Sequence, residues 1–197
     1  VLDPSVACVI VEPVAANMGL GAPAEGFLAG LRAECDRVGA VLIFDEVITG
    51  FRLAWGGAQA VYGVRPDLTC FGKVIGGGLN VGAFGGRADL MDLLAPLGPV
   101  YQAGTLSGNP LATAAGLAAL SLLDDGAYEA LEASAARLAQ GLEAAVTGAG
   151  LTICTPRVGP PVGLFVGAEA PTDFDGARGT DEAAYALIPG PVATTAL

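Results

Sequence analysis

The sequence has no histidine and few positive charges. Of its 197 residues, 9 are Lys or Arg and 20 are Asp or Glu, which gives a net charge of -11. Without histidine, Ser-His-Asp and Cys-His catalysis are excluded, so any proton transfer must use Lys, Tyr, Cys or carboxylate groups. The negative charge argues against nucleic acids and anionic membrane surfaces as partners, because both need basic patches.

Membrane-spanning and metal-binding patterns are also missing from the sequence. No apolar stretch is long enough, and free enough of Gly and polar residues, to predict a membrane span. The four cysteines are widely spaced and form no C-x-x-C pair, so we predict no metal site. We interpret them as free thiols of a cytoplasmic protein. With 53% hydrophobic and 15% charged residues, the chain is predicted to fold around a core.

An α/β pattern is present in the first part of the chain. The apolar runs at 6–11 ("VACVIV") and 40–44 ("AVLIF") are typical of strands that are buried on both faces. Between them, residues 23–39 have the apolar spacing of a helix, with Pro23 in its first turn and Gly39 at its end. This order predicts a right-handed β-α-β unit with parallel strands. Two more strands are predicted, at 68–71 and 81–86.

Helices follow, and then the pattern changes. Asn109 and Pro110 are typical of a helix start, as cap and first residue. After Thr147, short strand and helix patterns indicate an α+β segment. We therefore predict two domains, residues 1–146 and 147–197. The elements predicted here are a short helix at 87–94, helices from 110 and at 127–146, strands near 151–154 and 162–166, and a weak helix at 181–187.

Two charged residues are predicted to meet at one edge of the sheet. Asp45 directly follows a buried strand, and Lys73 follows another strand, shortly before three glycines. Ligands of open α/β sheets bind at the carboxyl ends of the strands. A desolvated lysine can form a Schiff base, and a carboxylate can hold a protonated ring nitrogen. These two groups are what pyridoxal phosphate requires. From the spacing alone, an Asp45–Lys73 ion pair or two solvated loop charges is the favoured alternative.

Four blocks in the sequence resemble a known family. "VIVEPVAANMG", "LIFDEVITGFR", "PDLTCFGKVIGGGLNVGAFGGR" and "YQAGTLSGNPLATAAGLAAL" are similar, in order, to blocks of the glutamate-1-semialdehyde 2,1-aminomutases, within the class III pyridoxal-phosphate-dependent aminotransferases. The resemblance extends from about residue 4 to 186. It implies the carboxyl-side part of a fold type I large domain, with a mostly parallel sheet and flanking helices. The start of a small α+β domain would follow.

The resemblance also implies site residues. Lys73 would be the Schiff-base lysine and proton shuttle, and Asp45 would bind the pyridinium nitrogen. Val47 would pack on one face of the ring, and Asn17 would hydrogen-bond its 3-oxygen. From the residues alone, Val47 is a core position and Asn17 a turn former.

Further expectations concern the partner subunit and the reaction. Gly104 and Thr105 would reach the cofactor phosphate of a neighbouring subunit, in a homodimer with a shared site. The family reaction converts glutamate-1-semialdehyde to 5-aminolevulinate for tetrapyrrole synthesis, through pyridoxal and pyridoxamine phosphate. Two alternatives stay open: an ordinary class III aminotransferase with separate amino donor and acceptor, and a fragment without catalysis.

Both ends of the chain lead us to expect a piece of a longer protein. The family's phosphate cup and substrate-carboxylate site would lie upstream, so we expect this chain alone to be inactive. The last residues, "LIPGPVATTAL", depart from the family pattern.

Overall fold

The computed structural model describes residues 2–186 and 188. The divergent tail, residues 187–197, lies outside the described residues except for Ile188. The chain divides into two compact units. The first comprises Val1–Pro13 and Pro23–Tyr128, and the second comprises Val14–Ala22 and Glu129–Leu197. The division into two domains at residue 146, predicted from the sequence, stays a prediction.

The first unit is built on a four-stranded sheet. Its strands are β1 (Cys8–Val11), β2 (Val41–Asp45), β3 (Leu68–Gly72) and β4 (Gly82–Gly86), in that spatial order. β1, β2 and β3 are parallel, and β4 runs antiparallel to β3. The predicted α/β class with a mostly parallel sheet is therefore confirmed.

Helix α1 (Phe27–Val38) connects β1 to β2 and covers one face of the sheet. Leu28 and Cys35 of the helix pack with Leu42 and Phe44 of β2 in the main hydrophobic core. Gly39 ends the helix with φ 79°, a left-handed conformation that glycine adopts at little cost. The predicted helix start was too early, because the four residues from Pro23 to Gly26 precede the helix.

The other face of the sheet is open in the part of the chain that the structure describes. Ile10 is 61% exposed and Phe84 is 43% exposed. Ile43 pairs with Ile10, and Cys70 pairs with both Phe84 and Asp45, so these side chains share that face. The expectation that the first strand is covered on both faces was wrong for the described residues.

The remaining elements of the first unit follow β2, β3 and β4 along the chain. A 3-10 helix (Lys73–Gly76) follows β3 directly, before the chain returns as β4. Asn109 caps α4 by accepting hydrogen bonds from the next helical N–H groups, with Pro110 at the first position, as predicted. The helices of this region are α2 (Gly57–Tyr62), which the sequence analysis did not predict, α3 (Ala88–Met91) and α4 (Pro110–Leu120).

The second unit contains fewer strands than the first among the described residues. It contains most of the long helix α5 (Asp125–Gly148) and a two-stranded antiparallel sheet of β5 (Ile153–Cys154) and β6 (Phe165–Val166). Two short helices follow, α6 (Phe174–Arg178) and α7 (Glu182–Tyr185). The α+β character predicted after Thr147 is confirmed. No helix in the described residues is both long and apolar enough to cross a membrane.

Candidate active site

Lys73 begins the 3-10 helix at the carboxyl end of β3. It is the only lysine in the 197-residue sequence. Its side chain is exposed, and its backbone has φ 47°. A non-glycine residue with positive φ is uncommon and is maintained only where the surroundings hold it, often at functional sites. The 3-10 helix ends at Gly77, whose N–H donates to the carbonyl of Val74.

Asp45 ends β2 and lies beside β3. Its Cα pairs with that of Cys70, three residues before Lys73. Its Oδ1 accepts the Val47 N–H at 3.0 Å. Burial raises the pKa of the Cys70 thiol, and the negative charge of Asp45 raises it further. The carboxylate and the lysine are thus brought to the same edge of the sheet, as predicted.

No ion pair joins Asp45 to Lys73. Within the described residues, neither side chain is part of any salt bridge within 4.0 Å. A half-buried carboxylate without a cation loses hydration and gains no compensating charge. The site therefore offers one carboxylate and one primary amine to a ligand, which is the donor set that the sequence analysis expected.

Val47 lies against the residue that precedes the lysine. A Cβ built on Gly72 would be 3.1 Å from Cγ1 of Val47, which is tighter than most real contacts. Glycine at position 72 therefore lets the Val47 side chain lie flat on the end of β3. Val47 thus places an apolar side chain at the carboxyl end of β3, and an apolar surface of this kind suits a planar ring.

Glycine also allows helix α4 to pack on the 3-10 helix. A Cβ on Gly116 would be 1.9 Å from the Ile75 carbonyl oxygen, and one on Gly77 would be 2.3 Å from the Ala115 carbonyl oxygen. Only glycine permits this backbone-to-backbone approach. Helix α4 therefore supports the turn that starts with Lys73.

Gly104 and Thr105 lie in the exposed loop before α4. The Gly104 carbonyl accepts the Ser107 N–H at 3.0 Å, which shapes the loop. No hydrogen bond in the described residues connects this loop to Asp45 or Lys73. Their role at a partner's phosphate stays a prediction.

Asn17 belongs to the second unit. It is exposed, in a turn closed by the paired residues Ala15 and Gly21. The turn is as expected from the residue type, and its cofactor contact stays a prediction.

The sequence analysis gave no role to Glu46, the second acid of the pair. Its side chain is fully buried and lies on the covered side of the sheet, opposite Asp45. Thr49 Oγ1, the Ala58 N–H and Gln59 all donate to its carboxylate. Strand alternation after the buried run was the available signal, but two of the three donor residues, Ala58 and Gln59, are more than ten residues away.

A second buried carboxylate, Asp67, lies at the other end of β3. It accepts hydrogen bonds from the Leu42 N–H at 2.7 Å, from Arg32 at 2.8 Å and from Arg87 at 2.9 Å. Burial alone raises the pKa of Asp67, but these donors outweigh it and hold the pKa below its ordinary value of 3.8. Asp67 therefore joins α1, β2, β3 and the end of β4. Among the described residues, no group of three His, Cys, Asp or Glu side chains is placed to hold a metal ion.

Comparison with known proteins agrees with this architecture. The family model of class III aminotransferases matches residues 1–182, so the chain belongs to the class III aminotransferase family. The glutamate-1-semialdehyde 2,1-aminomutase of Desulforudis audaxviator is 57% identical over 185 residues, which is 93% of this chain and 43% of that relative. The enzyme of the same name from Desulfotalea psychrophila is 59% identical over 184 residues, again 93% and 43%. The chain thus spans about two fifths of the length of the curated relatives it matches.

Solved structures show the same fold. An ω-transaminase from Sphaerobacter thermophilus superposes with a TM-score of 0.79 at 35% identity, over 86% of this chain and 39% of that chain. A glutamate-1-semialdehyde aminomutase from Pseudomonas aeruginosa, in complex with PMP, superposes with a TM-score of 0.74 at 29% identity, over 86% and 40%. Together with the family match, these superpositions confirm the predicted fold class.

Proposed function

We propose that the polypeptide containing this chain is a glutamate-1-semialdehyde 2,1-aminomutase. It would convert glutamate-1-semialdehyde to 5-aminolevulinate, in tetrapyrrole synthesis in the cytoplasm. The observation that carries this proposal is the identity of 57% and 59% to two relatives of that name over 93% of the chain. Because the chain spans about two fifths of their length, the activity is proposed for the complete protein.

The residues at the sheet edge fit pyridoxal phosphate and its pyridoxamine form. The cofactor needs a primary amine for its aldehyde and an acid for its ring nitrogen, and the described edge offers one of each. When bound, the cofactor supplies an electron sink for charge that develops at the substrate carbon. Asp45, whose carboxylate has no cation partner in the described residues, would hold the proton of the ring nitrogen. The fit to pyridoxal phosphate rests on two features of the sheet edge: Asp45 has no cation partner in the described residues, and Lys73 has a positive φ.

Lys73 would bind the cofactor covalently and then move protons at the reacting carbon. Its place directly after Gly72, which lies against Val47, and at the same sheet edge as Asp45 favours this role. Val47 would exclude water from one face of the ring. Moving the amino group between neighbouring carbons of one substrate requires a base that can both remove and return a proton. Among the residues of this chain, which include no histidine, the lysine is the group best suited to that task.

The remaining contacts are proposed from the family. Asn17 would bind the ring oxygen, and Gly104 with Thr105 would bind the cofactor phosphate of a partner subunit in a homodimer. The exposure of the loop that carries Thr105 favours a contact outside its own subunit.

An ordinary class III aminotransferase is the second candidate. It is favoured by the TM-score of 0.79 with an ω-transaminase, which is 35% identical to the chain. The two functions differ in their need for a second amine substrate. An aminomutase makes 5-aminolevulinate from the semialdehyde alone, whereas an aminotransferase needs a separate donor and acceptor.

The cofactor role of Lys73, the single lysine in the 197 residues of this chain, can be tested in the complete protein. We expect borohydride reduction in the presence of pyridoxal phosphate to attach the cofactor to Lys73, detected by peptide mapping. The N-terminal amine is the internal control for non-specific labelling, and Lys73→Ala is the matched variant. Labelling of the N-terminus to the same extent as Lys73 would contradict the assignment.

The substrate is tested separately, with the complete protein. We expect 5-aminolevulinate to form from glutamate-1-semialdehyde with no added amino donor. Product formation only after a second amine is added would favour the ordinary aminotransferase instead.

A further inference from the structure

The buried carboxylate of Glu46 has no part in the chemistry proposed above, yet it adjoins Asp45. Its exposed fraction is 0%. Among the described residues no Lys or Arg lies within 4.0 Å of it. An ionised carboxylate is costly to bury unless hydrogen bonds satisfy it. The fold therefore supplies donors in place of a cation.

Four hydrogen bonds reach the two carboxylate oxygens. Oε2 accepts from Thr49 Oγ1 at 2.9 Å and from the Ala58 N–H at 2.6 Å. Oε1 accepts from the N–H of Gln59 at 3.3 Å and from its Nε2 at 3.1 Å. Each oxygen accepts from a backbone N–H group, which can only donate. The site therefore fits a carboxylate and not an amide, whose NH₂ would face one of these donors.

The backbone between these donors is shaped around the carboxylate. Gly57 has φ 66°, and a Cβ there would lie 2.4 Å from Glu46 Oε2. Any other residue would displace the acid or twist the start of α2. The segment that leads into α2 is thus built to receive Glu46.

The same group is tied to the strand that carries the lysine. Gln59 Nε2, which binds Glu46, is also 3.4 Å from Thr69 Oγ1 on β3. The Glu46 N–H donates to the Cys70 carbonyl at 3.0 Å. The residue directly after Asp45 is therefore bound to β3 three and four residues before Lys73.

We propose that Glu46 is a positioning residue, whose carboxylate, with Gln59 and Thr69, fixes Asp45 and Val47 relative to Lys73. The inference rests on the proposed cofactor function. Without this anchor, the turn after β2 would lose its attachment to α2, and the Val47 N–H that binds Asp45 Oδ1 would be held less firmly. A looser turn would present the acid at variable distance from the ring nitrogen.

Asp67 provides a matched control. It is also a buried carboxylate that joins β2 to β3, but at the opposite end of the strands, through the Leu42 N–H. Asp67→Asn and Glu46→Gln both remove one buried charge from the same pair of strands. If Glu46 only stabilises the fold, both variants should change amide exchange at Val47 and cofactor affinity to the same extent.

The first measurement is amide hydrogen exchange in the complete protein without cofactor, compared among wild type, Glu46→Gln and Asp67→Asn. We expect exchange at the Val47 amide to accelerate about tenfold or more in Glu46→Gln, as loss of a charged hydrogen-bond acceptor implies. In Asp67→Asn, exchange at Val47 should stay at the wild-type rate once global stability is matched with denaturant. Equal acceleration in both variants, or none in Glu46→Gln, would overturn the proposal.

Gln59→Met covers the case in which Glu46→Gln does not fold. It removes the side-chain donor to Glu46 and Thr69 but keeps the Gln59 backbone N–H, so a smaller acceleration at Val47 is expected. No acceleration in Gln59→Met would also refute the proposal.

The second measurement is cofactor affinity, from pyridoxal phosphate titration of the complete protein. We expect the dissociation constant to rise about tenfold in Glu46→Gln, the change expected for one charge-assisted hydrogen bond, and to change little in Asp67→Asn. If wild-type Lys73 takes up no cofactor, the proposed function fails, whereas the exchange data still decide whether Glu46 fixes Val47.

Discussion

Replacing Gly116 by alanine should separate close helix packing from helix propensity. Alanine favours the helix over glycine by about 1 kcal/mol, so this substitution stabilises a protein at helix positions where the new methyl group meets no other atom. At Gly116, however, the new Cβ would lie 1.9 Å from the Ile75 carbonyl oxygen, where ordinary contact begins at 3.4 Å. Because the obstacle is backbone, either α4 or the 3-10 helix must move by more than an ångström.

The expected magnitude follows from these two opposing effects. Overpacking that shifts backbone costs about 3 kcal/mol, which exceeds the propensity gain of about 1 kcal/mol. We therefore expect Gly116→Ala to lower the free energy of unfolding of the first unit by about 2 kcal/mol. The displaced turn is the one that begins with Lys73, so borohydride labelling of the lysine should fall as well.

Gly30→Ala is the matched control, in helix α1 of the same unit. A Cβ at Gly30 meets nothing within 4 Å, so this variant should be stabilised by about 0.5–1 kcal/mol. Urea unfolding of both variants, followed by circular dichroism, gives the comparison. If Gly116→Ala is as stable as Gly30→Ala, then α4 does not pack closely against the 3-10 helix.

Two further predictions concern buried and half-buried carboxylates. In Asp45→Asn, turnover of the complete protein should fall by orders of magnitude because the ring nitrogen loses its anionic partner. Cys70 should also be alkylated faster at a given pH, because the charge that raises the pKa of its thiol is gone. An unchanged alkylation rate of Cys70, measured by peptide mapping, would contradict the proximity of Asp45 and Cys70. Asp67→Asn should cost roughly 3 kcal/mol at neutral pH, as expected for a partner removed from a buried ion pair. The folded-state pKa of Asp67 lies below 3.8, so its contribution to stability is present above that pH and is lost as the pH falls through the folded-state pKa. The free energy of unfolding should therefore decrease less steeply with falling pH in Asp67→Asn than in wild type.

The sequence was sufficient to predict the elements whose signals are local. Asn109 and Pro110 form the predicted helix start because cap and first residue act within one turn. The edge that holds Asp45 and Lys73 follows from the rule that parallel strands align their carboxyl ends.

The role of Glu46 could not be predicted from the sequence because, of its donor residues, only Thr49 is near it along the chain. The acid and its partners Ala58 and Gln59 meet only when α2 folds back against the strand. Helix α2 was itself missed, since Gly57, with φ 66°, is typical of a turn. The arginines that bind Asp67 are also separated from it by long stretches of chain.

The exposure of Ile10 could not be predicted for another reason. A continuous apolar run predicts cover on both faces, but the run does not contain the residues that supply the cover. Only the packing of α1, on the side of Leu42 and Phe44, shows which face the described chain fills.

The reversal between β3 and β4 has a consequence for the order of folding. Gly72 pairs with Gly82, so residues 73–81 close a short antiparallel connection around the lysine. The parallel pair of Asp45 with Cys70 instead requires the whole intervening segment, including α2, to be closed into a loop. Closing a short loop loses less chain entropy than closing a long one, so local contacts form sooner. We therefore expect the β3–β4 connection that contains Lys73 to form during folding before Asp45 is paired beside β3.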